Sequence, residues 1–226
     1  MIINADARAY LRAHPSDAVD LIVSDIPYRV ISGGNTTKHR RCTGMLSAND
    51  GKIFDHNDTH FTEYMDDLYR VLKPVAHCYL FTNLLNLWDL QTEMVRAGFK
   101  IHNLLIWHKD NTTPNRWYMK NAEYVIMARK GPARTIYTPG KSVVQQVKNV
   151  RGKMHPTEKP VDLLKTYIEA SSKPGELVLD PFCGSGSTGE AALSLGRRFV
   201  GVEIDKKYAD IARNRINEVQ NDNTIG

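Results

Sequence analysis

The fold of this chain is decided by the stretch ELVLDPFCGSGSTGEAALSLGRRFVGVEID, which runs from Glu176 to Asp205. The stretch predicts a short apolar strand, a glycine turn, a helix, and a second apolar strand that ends at Glu203. Glycines at positions 184, 186 and 189 match the pattern G-x-G-x-x-G, and Glu203 follows Gly184 by 19 residues. A unit of this kind binds a nucleotide-like ligand across the strand end, with the distal acid on the ribose.

The rest of the chain alternates short apolar runs with amphipathic stretches. Apolar runs bounded by polar or turn residues are typical of strands buried in a parallel sheet, and spacings of three and four residues indicate helices. This alternation predicts a single α/β domain over residues 1–226, with a mixed, mostly parallel sheet and helices on both faces. Trp88 and Trp107 are expected in the core. The predicted strands are Leu21–Ser24, Ala76–Thr82, Ile101–Trp107, Tyr124–Ala128, Leu177–Leu179 and Phe199–Val202.

Two long segments, at about 29–60 and 131–154, interrupt the alternation and are expected to be loops that face nucleic acid. From Lys109 to His155, ten Lys or Arg and two acidic residues give a net charge of +8, against +5 for the whole chain. A basic segment on a mildly acidic body is the pattern expected for phosphate contacts. Candidate nucleic-acid-contacting side chains are the loop residues Lys38, His39, Arg40 and Arg41, together with Arg116, Trp117 and Tyr118, which can stack on bases or simply pack.

The composition excludes several classes of protein. With 42% hydrophobic and 24% charged residues the chain is not disordered, and no apolar run approaches the roughly 18 residues of a membrane span. The three cysteines are too scattered for a disulfide framework or a structural zinc site. The first residues show no secretory signal. We therefore expect a cytoplasmic protein with no membrane partner and no bound metal.

The residues around the glycine turn indicate which nucleotide-like ligand it binds. Asp180-Pro181-Phe182-Cys183 stands between the strand and the first glycine, whereas a dinucleotide fingerprint runs straight from strand to glycine. An acid beside the turn repels a pyrophosphate and attracts an ammonium group. S-adenosylmethionine carries an amino group, a ribose and a sulfonium, and it therefore matches two acids and a row of glycine amides.

A second cluster, Asp25-Ile26-Pro27-Tyr28, follows an apolar strand near the start of the chain. Together with Phe182-Cys183-Gly184-Ser185-Gly186 it resembles the signature of the DNA amino-methyltransferases, (D/N/S)-P-P-(Y/F) plus F-x-G-x-G. The tetrad precedes the cofactor turn, as in the permuted beta class of that family. His155–Pro160 resembles its H-P-T-x-K-P block, and Asn4-Ala5-Asp6 resembles its opening acidic motif. Ile26, where the family usually has proline, is one departure, and the lack of a large separate target-recognition domain is another.

The resemblance implies a Rossmann-like, circularly permuted S-adenosylmethionine-dependent methyltransferase fold. It implies methyl transfer to the N6 amine of adenine in DNA after base flipping, with S-adenosylhomocysteine as product, within bacterial restriction–modification. Relatives often form dimers, so a homodimer is left open. The implied catalytic residues are Asp25, Ile26, Pro27 and Tyr28, and the implied cofactor-binding residues are Asp6, Ala7, Asp25, His155, Pro156, Thr157, Lys159, Asp180, Pro181, Phe182, Cys183, Gly184, Ser185, Gly186, Ser187, Thr188, Glu203 and Ile204.

The tetrad offers a way to activate an aromatic amine. The Asp25 carboxylate and the Ile26 carbonyl would each accept one N–H and so localise the nitrogen lone pair, while Tyr28 would stack on the flipped base. The alternatives are methylation of cytosine N4, where the tetrad more often begins with Ser, and of RNA or a protein glutamine, where it usually begins with Asn. A nicotinamide-dependent oxidoreductase and a non-catalytic nucleic-acid-binding module are two further alternatives.

Overall fold

The computed structural model describes residues 1–27, 59–113, 118, 120–152 and 158–225. Several residues that the sequence singles out lie outside these ranges, so their roles stay predictions. They are Tyr28, Lys38, His39, Arg40, Arg41, Arg116, Trp117, His155, Pro156 and Thr157, together with most of segment 29–60.

Strands and helices alternate along the described residues, as the sequence predicts. A single turn of 3-10 helix, Phe61–Glu63, precedes the second α-helix. The strands are β1 (Ile2–Asn4), β2 (Val19–Ser24), β3 (Leu72–Thr82), β4 (Lys100–Thr113), β5 (Lys120–Arg129), β6 (Val144–Gln146), β7 (Leu177–Asp180) and β8 (Arg198–Glu203), and the helices are α1 (Ala7–Ala13), α2 (Met65–Val71), α3 (Leu87–Ala97), α4 (Val161–Ser171), α5 (Ser187–Ser194) and α6 (Lys206–Ile225).

The strands form one sheet in the order β1-β8-β7-β2-β3-β5-β4-β6. Every pair of neighbours is parallel except those that involve β5, which runs antiparallel to both β3 and β4. Only six residues separate β4 from β5, and a connection that short joins antiparallel strands. The carboxyl ends of the parallel strands and the start of β5 therefore meet at one edge, which we call the carboxyl edge.

Helices cover both faces of the sheet, and β2 shows why. Successive side chains of a strand point to opposite faces. Leu21 and Val23 belong to the core that includes α4, α5 and α6, whereas Ile22 belongs to the core that includes α1, α2 and α3. The predicted α/β architecture, with a mostly parallel sheet between two helical layers, is confirmed.

Two local predictions are wrong. Trp88 is 76% exposed, because the buried stripe of α3 is formed by Leu90 and Met94, and Trp88 lies on a different face of the helix. The basic segment 131–154, expected to be only a loop, contributes β6, which pairs with β4 through Ile106 and its neighbours. The second tryptophan, Trp107, is buried as predicted.

Candidate active site

The carboxyl edge collects side chains that lie far apart in the sequence. β2 leads into Asp25, β7 ends at Asp180 and β8 ends at Glu203. The Ser24 hydroxyl donates a 2.7 Å hydrogen bond to Oδ1 of Asp180, across 156 residues of sequence. The residue before the Asp25 tetrad is thus joined directly to the segment that carries the glycine turn.

Asp180 fixes the geometry of this junction. Its carboxylate accepts hydrogen bonds from the Ser24 hydroxyl at 2.7 Å, the Thr188 hydroxyl at 2.7 Å and the Phe182 backbone N–H at 3.1 Å. The residue as a whole is only 3% exposed. Burial raises the pKa of Asp180 to about 6, against the opposing effect of these hydrogen bonds. Asp180 therefore holds the tip of β2 against the glycine turn.

The glycine turn is constrained by packing at two of its glycines. Gly186 has φ 84° and precedes α5, and a Cβ there would lie 2.9 Å from the Cβ of Ala212. A Cβ on Gly189 would lie 2.6 Å from the ring of Phe199 on β8. Both distances are too short for carbon atoms. Glycines 186 and 189 of the pattern are thus needed for α5 to pack against α6 and β8.

Glu203 ties the glycine turn to the end of β8. Its carboxylate accepts hydrogen bonds from the backbone N–H of Gly184 at 2.9 Å and of Asp205 at 2.8 Å. Burial raises the pKa of Glu203. The Asn4 side-chain amide donates to the backbone carbonyls of Glu203 and Ile204, each at 2.9 Å. The predicted ribose-binding acid is therefore fixed beside the turn and the N-terminal segment.

Asp25 sits in a chain of alternating charges. The Lys159 ammonium donates to Oδ2 of Asp25 and lies 3.5 Å from Oε2 of Glu123. Lys109 donates to Oε1 of Glu123. Oδ1 of Asp25 is buried and has no hydrogen-bond partner among the described residues. Two lysines and two carboxylates from four parts of the chain therefore meet at Asp25. Among the described residues, Oε2 of Glu123 also has no hydrogen-bond partner, although it lies within ion-pair distance of Lys159.

Burial and charge act in opposite directions on the two carboxylates of this chain. Burial raises the pKa of Asp25, although Lys159 opposes the shift. Burial also favours the protonated form of Glu123, but Lys159 and Lys109 together hold the pKa of Glu123 below its ordinary value. Charge neutralisation by the lysines thus matters at both positions.

The N-terminal residues predicted to contact the cofactor have well-defined partners. Asp6 caps α1 by accepting from the Arg8 backbone N–H at 2.8 Å, and it also forms an ion pair with the Arg8 guanidinium. The same guanidinium pairs with Glu63. The hydrogen bond with Arg8 is the main reason why the pKa of Asp6 is lowered. The neighbouring Ala7 is buried in the core.

The other turn residues are mostly enclosed. Cys183 is buried, and burial raises the pKa of its thiol well above the ordinary value, which disfavours the reactive thiolate. Phe182 is half-buried and packs edge-on against Tyr64. Tyr118, a candidate DNA contact, is almost fully exposed. Side chains of the turn that are buried are Pro181, Ser185, Ser187 and Thr188, whereas Ile204 is exposed.

Arg215 of α6 connects two parts of the candidate site. Its guanidinium pairs with Glu158 at 2.8 Å and also with Glu190 of α5. Glu158 immediately precedes Lys159 and is buried. Arg215 therefore anchors the start of the segment that carries Lys159 onto the helix that follows the glycine turn.

We expect Arg215→Lys to lower the free energy of unfolding by about 1–2 kcal/mol, because one ammonium cannot keep both ion pairs of a partly buried guanidinium. Thermal unfolding checks this. Arg213→Lys is the control, since the ion pair of Arg213 with Asp210 is more exposed. An equal effect of both substitutions would contradict the anchoring role of Arg215.

Four residues of this site are not among those predicted from sequence: Ser24, Lys109, Glu123 and Arg215. Glu123 carries a signal that could have identified it, since it is an isolated acid just before the apolar run Tyr124–Ala128. Ser24 is adjacent to the tetrad. Arg215 lies in an ordinary charged helix, and nothing local distinguishes it.

No described helix has the length and apolar character needed to cross a bilayer. Likewise, within the described ranges no three His, Cys, Asp or Glu side chains are grouped closely enough to hold a metal ion.

A family model and a curated relative both match this chain, and both are named as methylases or methyltransferases. The family model for DNA methylases, N6_N4_Mtase, matches residues 19–214 of this chain. The Type II methyltransferase M2.DpnII of Streptococcus pneumoniae is 33% identical over 245 residues, which cover 98% of this chain and 91% of that protein. The match therefore spans almost the full length of both proteins.

Solved structures show the same architecture. The M1.HpyAVI-SAM complex superimposes with a TM-score of 0.71 at 24% identity, and the match covers 96% of this chain and 99% of that one. The PvuII DNA methyltransferase, described as cytosine-N4-specific, gives a TM-score of 0.74 at 15% identity, over 98% of this chain and 91% of that one. The predicted Rossmann-like methyltransferase fold is confirmed.

Proposed function

Since the chain belongs to the DNA methylase family, we propose that it transfers a methyl group from S-adenosylmethionine to the N6 amine of adenine in DNA, with Asp25 binding the amine. The prediction of a DNA methyltransferase is confirmed by the family match. The observation that carries the proposed role of Asp25 is its buried Oδ1, which has no hydrogen-bond partner among the described residues. A buried carboxylate oxygen without a partner is costly, and a substrate N–H would satisfy it.

The tetrad would make the adenine amine, a poor nucleophile, more reactive by placing two hydrogen-bond acceptors beside it. An adenine amine is planar because its lone pair is delocalised into the ring. Oδ1 of Asp25 would accept one N–H and the backbone carbonyl of Ile26 the other, which favours a tetrahedral nitrogen with its lone pair directed at the methyl carbon. When bound, S-adenosylmethionine would supply the methyl group and leave as S-adenosylhomocysteine, and Oδ1 of Asp25, which accepts the N–H, would take up the proton that the nitrogen gives up and pass it to solvent. Tyr28 remains the predicted stacking partner of the flipped base.

The carboxyl edge fits the proposed cofactor. S-adenosylmethionine supplies the methyl group as an electrophilic carbon on a positively charged sulfur. Glu203 ends β8 beside the glycine turn and holds the Gly184 backbone N–H, which is where an acid can reach the ribose of such a cofactor. We assign the ribose to Glu203 and the remaining contacts to the turn Phe182–Ser187, with Asp6, Ala7, Ile204 and the 155–157 block at the sides.

We assign two of the predicted cofactor residues to supporting roles within the protein. Asp180 already accepts three hydrogen bonds, so its role is to hold the turn against β2. Lys159 donates to Asp25, so its role is to orient the catalytic carboxylate. Both residues then act on the reaction through a neighbour.

Adenine is the favoured base. The family covers both N6-adenine and N4-cytosine amines, and the Asp at the first position of the tetrad is the residue that favours adenine. Methylation of cytosine N4 is the second candidate. A homodimer and a cytoplasmic location stay predictions.

DNA recognition is proposed for the segments 29–60 and 109–155. Base-specific readout requires several side chains held rigidly in a groove, whereas phosphate contacts require mainly charge. The net charge of +8 between Lys109 and His155 supplies that charge. We therefore propose a short or relaxed target sequence, with much of the affinity from phosphate contacts.

We expect the triple change Lys38→Gln, Arg40→Gln and Arg41→Gln to weaken binding to all DNA sequences. It should also reduce the slope of log K against log salt by about one for each phosphate that the variant no longer neutralises. Fluorescence anisotropy over a salt series measures both effects. The control removes three charges at the opposite edge of the sheet, through Arg12→Gln, Lys100→Gln and Lys173→Gln. An unchanged salt slope in the first variant would contradict this assignment.

The proposed function is tested by labelled methyl transfer. The purified chain is incubated with methyl-labelled S-adenosylmethionine in three separate reactions. One contains unmethylated genomic DNA, one contains total RNA and one contains a protein mixture. We expect label in DNA alone. Label in RNA or protein, or no label in DNA, would refute the proposal.

A further inference from the structure

We propose that Glu123 is a positioning residue that keeps Lys159 on Oδ2 of Asp25 and leaves Oδ1 for the target amine; this inference rests on the proposed role of Asp25. Neither the tetrad nor the glycine turn includes Glu123. It is placed by β5, the antiparallel strand of the sheet. Its carboxylate forms ion pairs with two lysines, Lys109 and Lys159.

The register of the sheet puts Glu123 at the right place. β5 pairs with β4 so that Glu123 lies opposite Trp107, two residues before Lys109. β5 also pairs with β3, where Tyr124 lies opposite Thr82. Since β5 runs antiparallel, its first residues reach the carboxyl edge, where the parallel strands end. An antiparallel strand thus brings an acid to the edge at which Asp25 lies.

Aromatic rings restrict both lysines. The Lys159 ammonium lies 5.3 Å from the centre of the Phe81 ring, and the Lys109 ammonium lies 4.7 Å from the centre of the Trp107 ring. Both distances are within the range of cation–π contacts. The side chain of Lys159 is only 7% exposed. Lys159 is therefore held by its neighbours and has little access to water.

The attraction of Lys159 is divided between two carboxylates. Oε2 of Glu123 lies 3.5 Å from the Lys159 ammonium, and Oδ2 of Asp25 contacts the same ammonium. Without Glu123, the full attraction of Lys159 would fall on Asp25, and the ammonium could bridge both carboxylate oxygens. It would then compete with the target amine for Oδ1. Glu123 prevents this by holding Lys159 to one side.

The charged groups that face Asp25 set the expected pH dependence. They are Lys159 before α4, Glu123 on β5, Lys109 on β4 and, through its charge, Asp180 on β7. Glu123 raises the pKa of Asp25, and Lys159 lowers it. Loss of Glu123 should therefore move the acidic limb of the rate profile to lower pH, and loss of Lys159 should move it to higher pH.

The test compares kcat, KM and the pH profile of Glu123→Gln, Lys159→Met and the double variant, with Glu93→Gln as control. Glu93 forms an ion pair with Arg96 on α3, outside the candidate site. We expect Glu123→Gln to lower kcat by about tenfold to a hundredfold with little change in KM for S-adenosylmethionine. The two single variants should shift the acidic limb in opposite directions. In the Lys159→Met background, Glu123→Gln should cause no further loss of kcat.

Glu123→Asp keeps the charge and provides a second variant, which we expect to restore part of the lost kcat. An unchanged kcat and pH profile in Glu123→Gln would overturn the proposal. The proposal would also be overturned if Glu123→Gln lowered kcat by the same factor in the Lys159→Met background as in the unaltered chain. Glu123 would then not act through Lys159. The proposed function is judged separately, from methylation of DNA by the unaltered chain. If that chain methylates DNA and Glu123→Gln has the same kcat and pH profile, only the proposed role of Glu123 is wrong.

Discussion

Asp25→Asn is expected to lower kcat for DNA methylation by on the order of 10²–10³-fold. The reason lies in the two oxygens of the carboxylate. Lys159 donates to Oδ2 of Asp25, so the amide of an asparagine would turn its oxygen to Lys159 and its NH₂ to the position of Oδ1. A donor would then face the N–H of the target amine, where an acceptor is needed.

The affinity for S-adenosylmethionine should change by less than about threefold in Asp25→Asn, because the carboxylate acts on the base. Calorimetry measures this affinity, and steady-state kinetics with saturating cofactor measure kcat. Asp25→Ala should abolish transfer as well. Asp66→Asn, at an exposed site on α2, is the control. Near-normal turnover of Asp25→Asn would rule out the proposed mechanism.

Asp180→Ala is expected to have the largest effect on stability, a loss of about 2–4 kcal/mol in the free energy of unfolding. The substitution leaves three donors without their acceptor, namely the buried hydroxyls of Ser24 and Thr188 and the partly buried N–H of Phe182. Because these donors join β2 to the glycine turn, methyl transfer should fall too. Urea denaturation gives the stability, and a loss below about 0.5 kcal/mol would contradict the role of Asp180.

Asp180→Asn separates the hydrogen bonds of Asp180 from its charge. The amide oxygen can accept from Ser24 and Phe182, and the amide NH₂ can donate to the Thr188 hydroxyl. The folded-state pKa of Asp180, about 6, lies above the ordinary value, so folding favours its protonated form. The stability that this preference contributes is complete below about pH 4 and is lost as the pH rises through about 6. Asparagine carries no such dependence.

The free energy of unfolding of Asp180→Asn should therefore rise relative to that of the unaltered chain as the pH increases from about 4 to about 7. The expected change in this difference is a few kcal/mol at most. Comparing the two proteins at each pH cancels the contributions of titrating groups that do not interact with Asp180. Urea denaturation at several pH values measures the difference. A difference that is the same at all of them would show that Asp180 does not titrate in this way.

The fold and the frame of the site could be predicted because their signals are local. The glycine turn, the helix after it and Glu203 lie within one stretch of 30 residues, from Glu176 to Asp205. Asp25 follows an apolar run, and in a parallel sheet the ends of such runs meet at one edge. The structure accordingly brings Asp25, Asp180 and Glu203 to the same edge.

The partners of these residues could not be predicted, because they depend on the register of distant strands. Lys159 and Asp25 are 134 residues apart in sequence, and Glu123 reaches both lysines only because β5 runs antiparallel. The position of Trp88 shows another limit. An aromatic residue in an amphipathic helix is usually predicted to be buried. Whether it is buried depends on its position around the helix relative to the buried residues Leu90 and Met94.

Nucleoside analysis of methylated DNA tests the central claim most directly. Unmethylated genomic DNA is incubated with the purified chain and S-adenosylmethionine, digested to nucleosides, and separated by liquid chromatography with mass detection. We predict N6-methyladenine as the methylated nucleoside, formed by the unaltered chain and lost in Asp25→Asn. N4-methylcytosine in its place, or methylated adenine that persists in Asp25→Asn, would contradict the account.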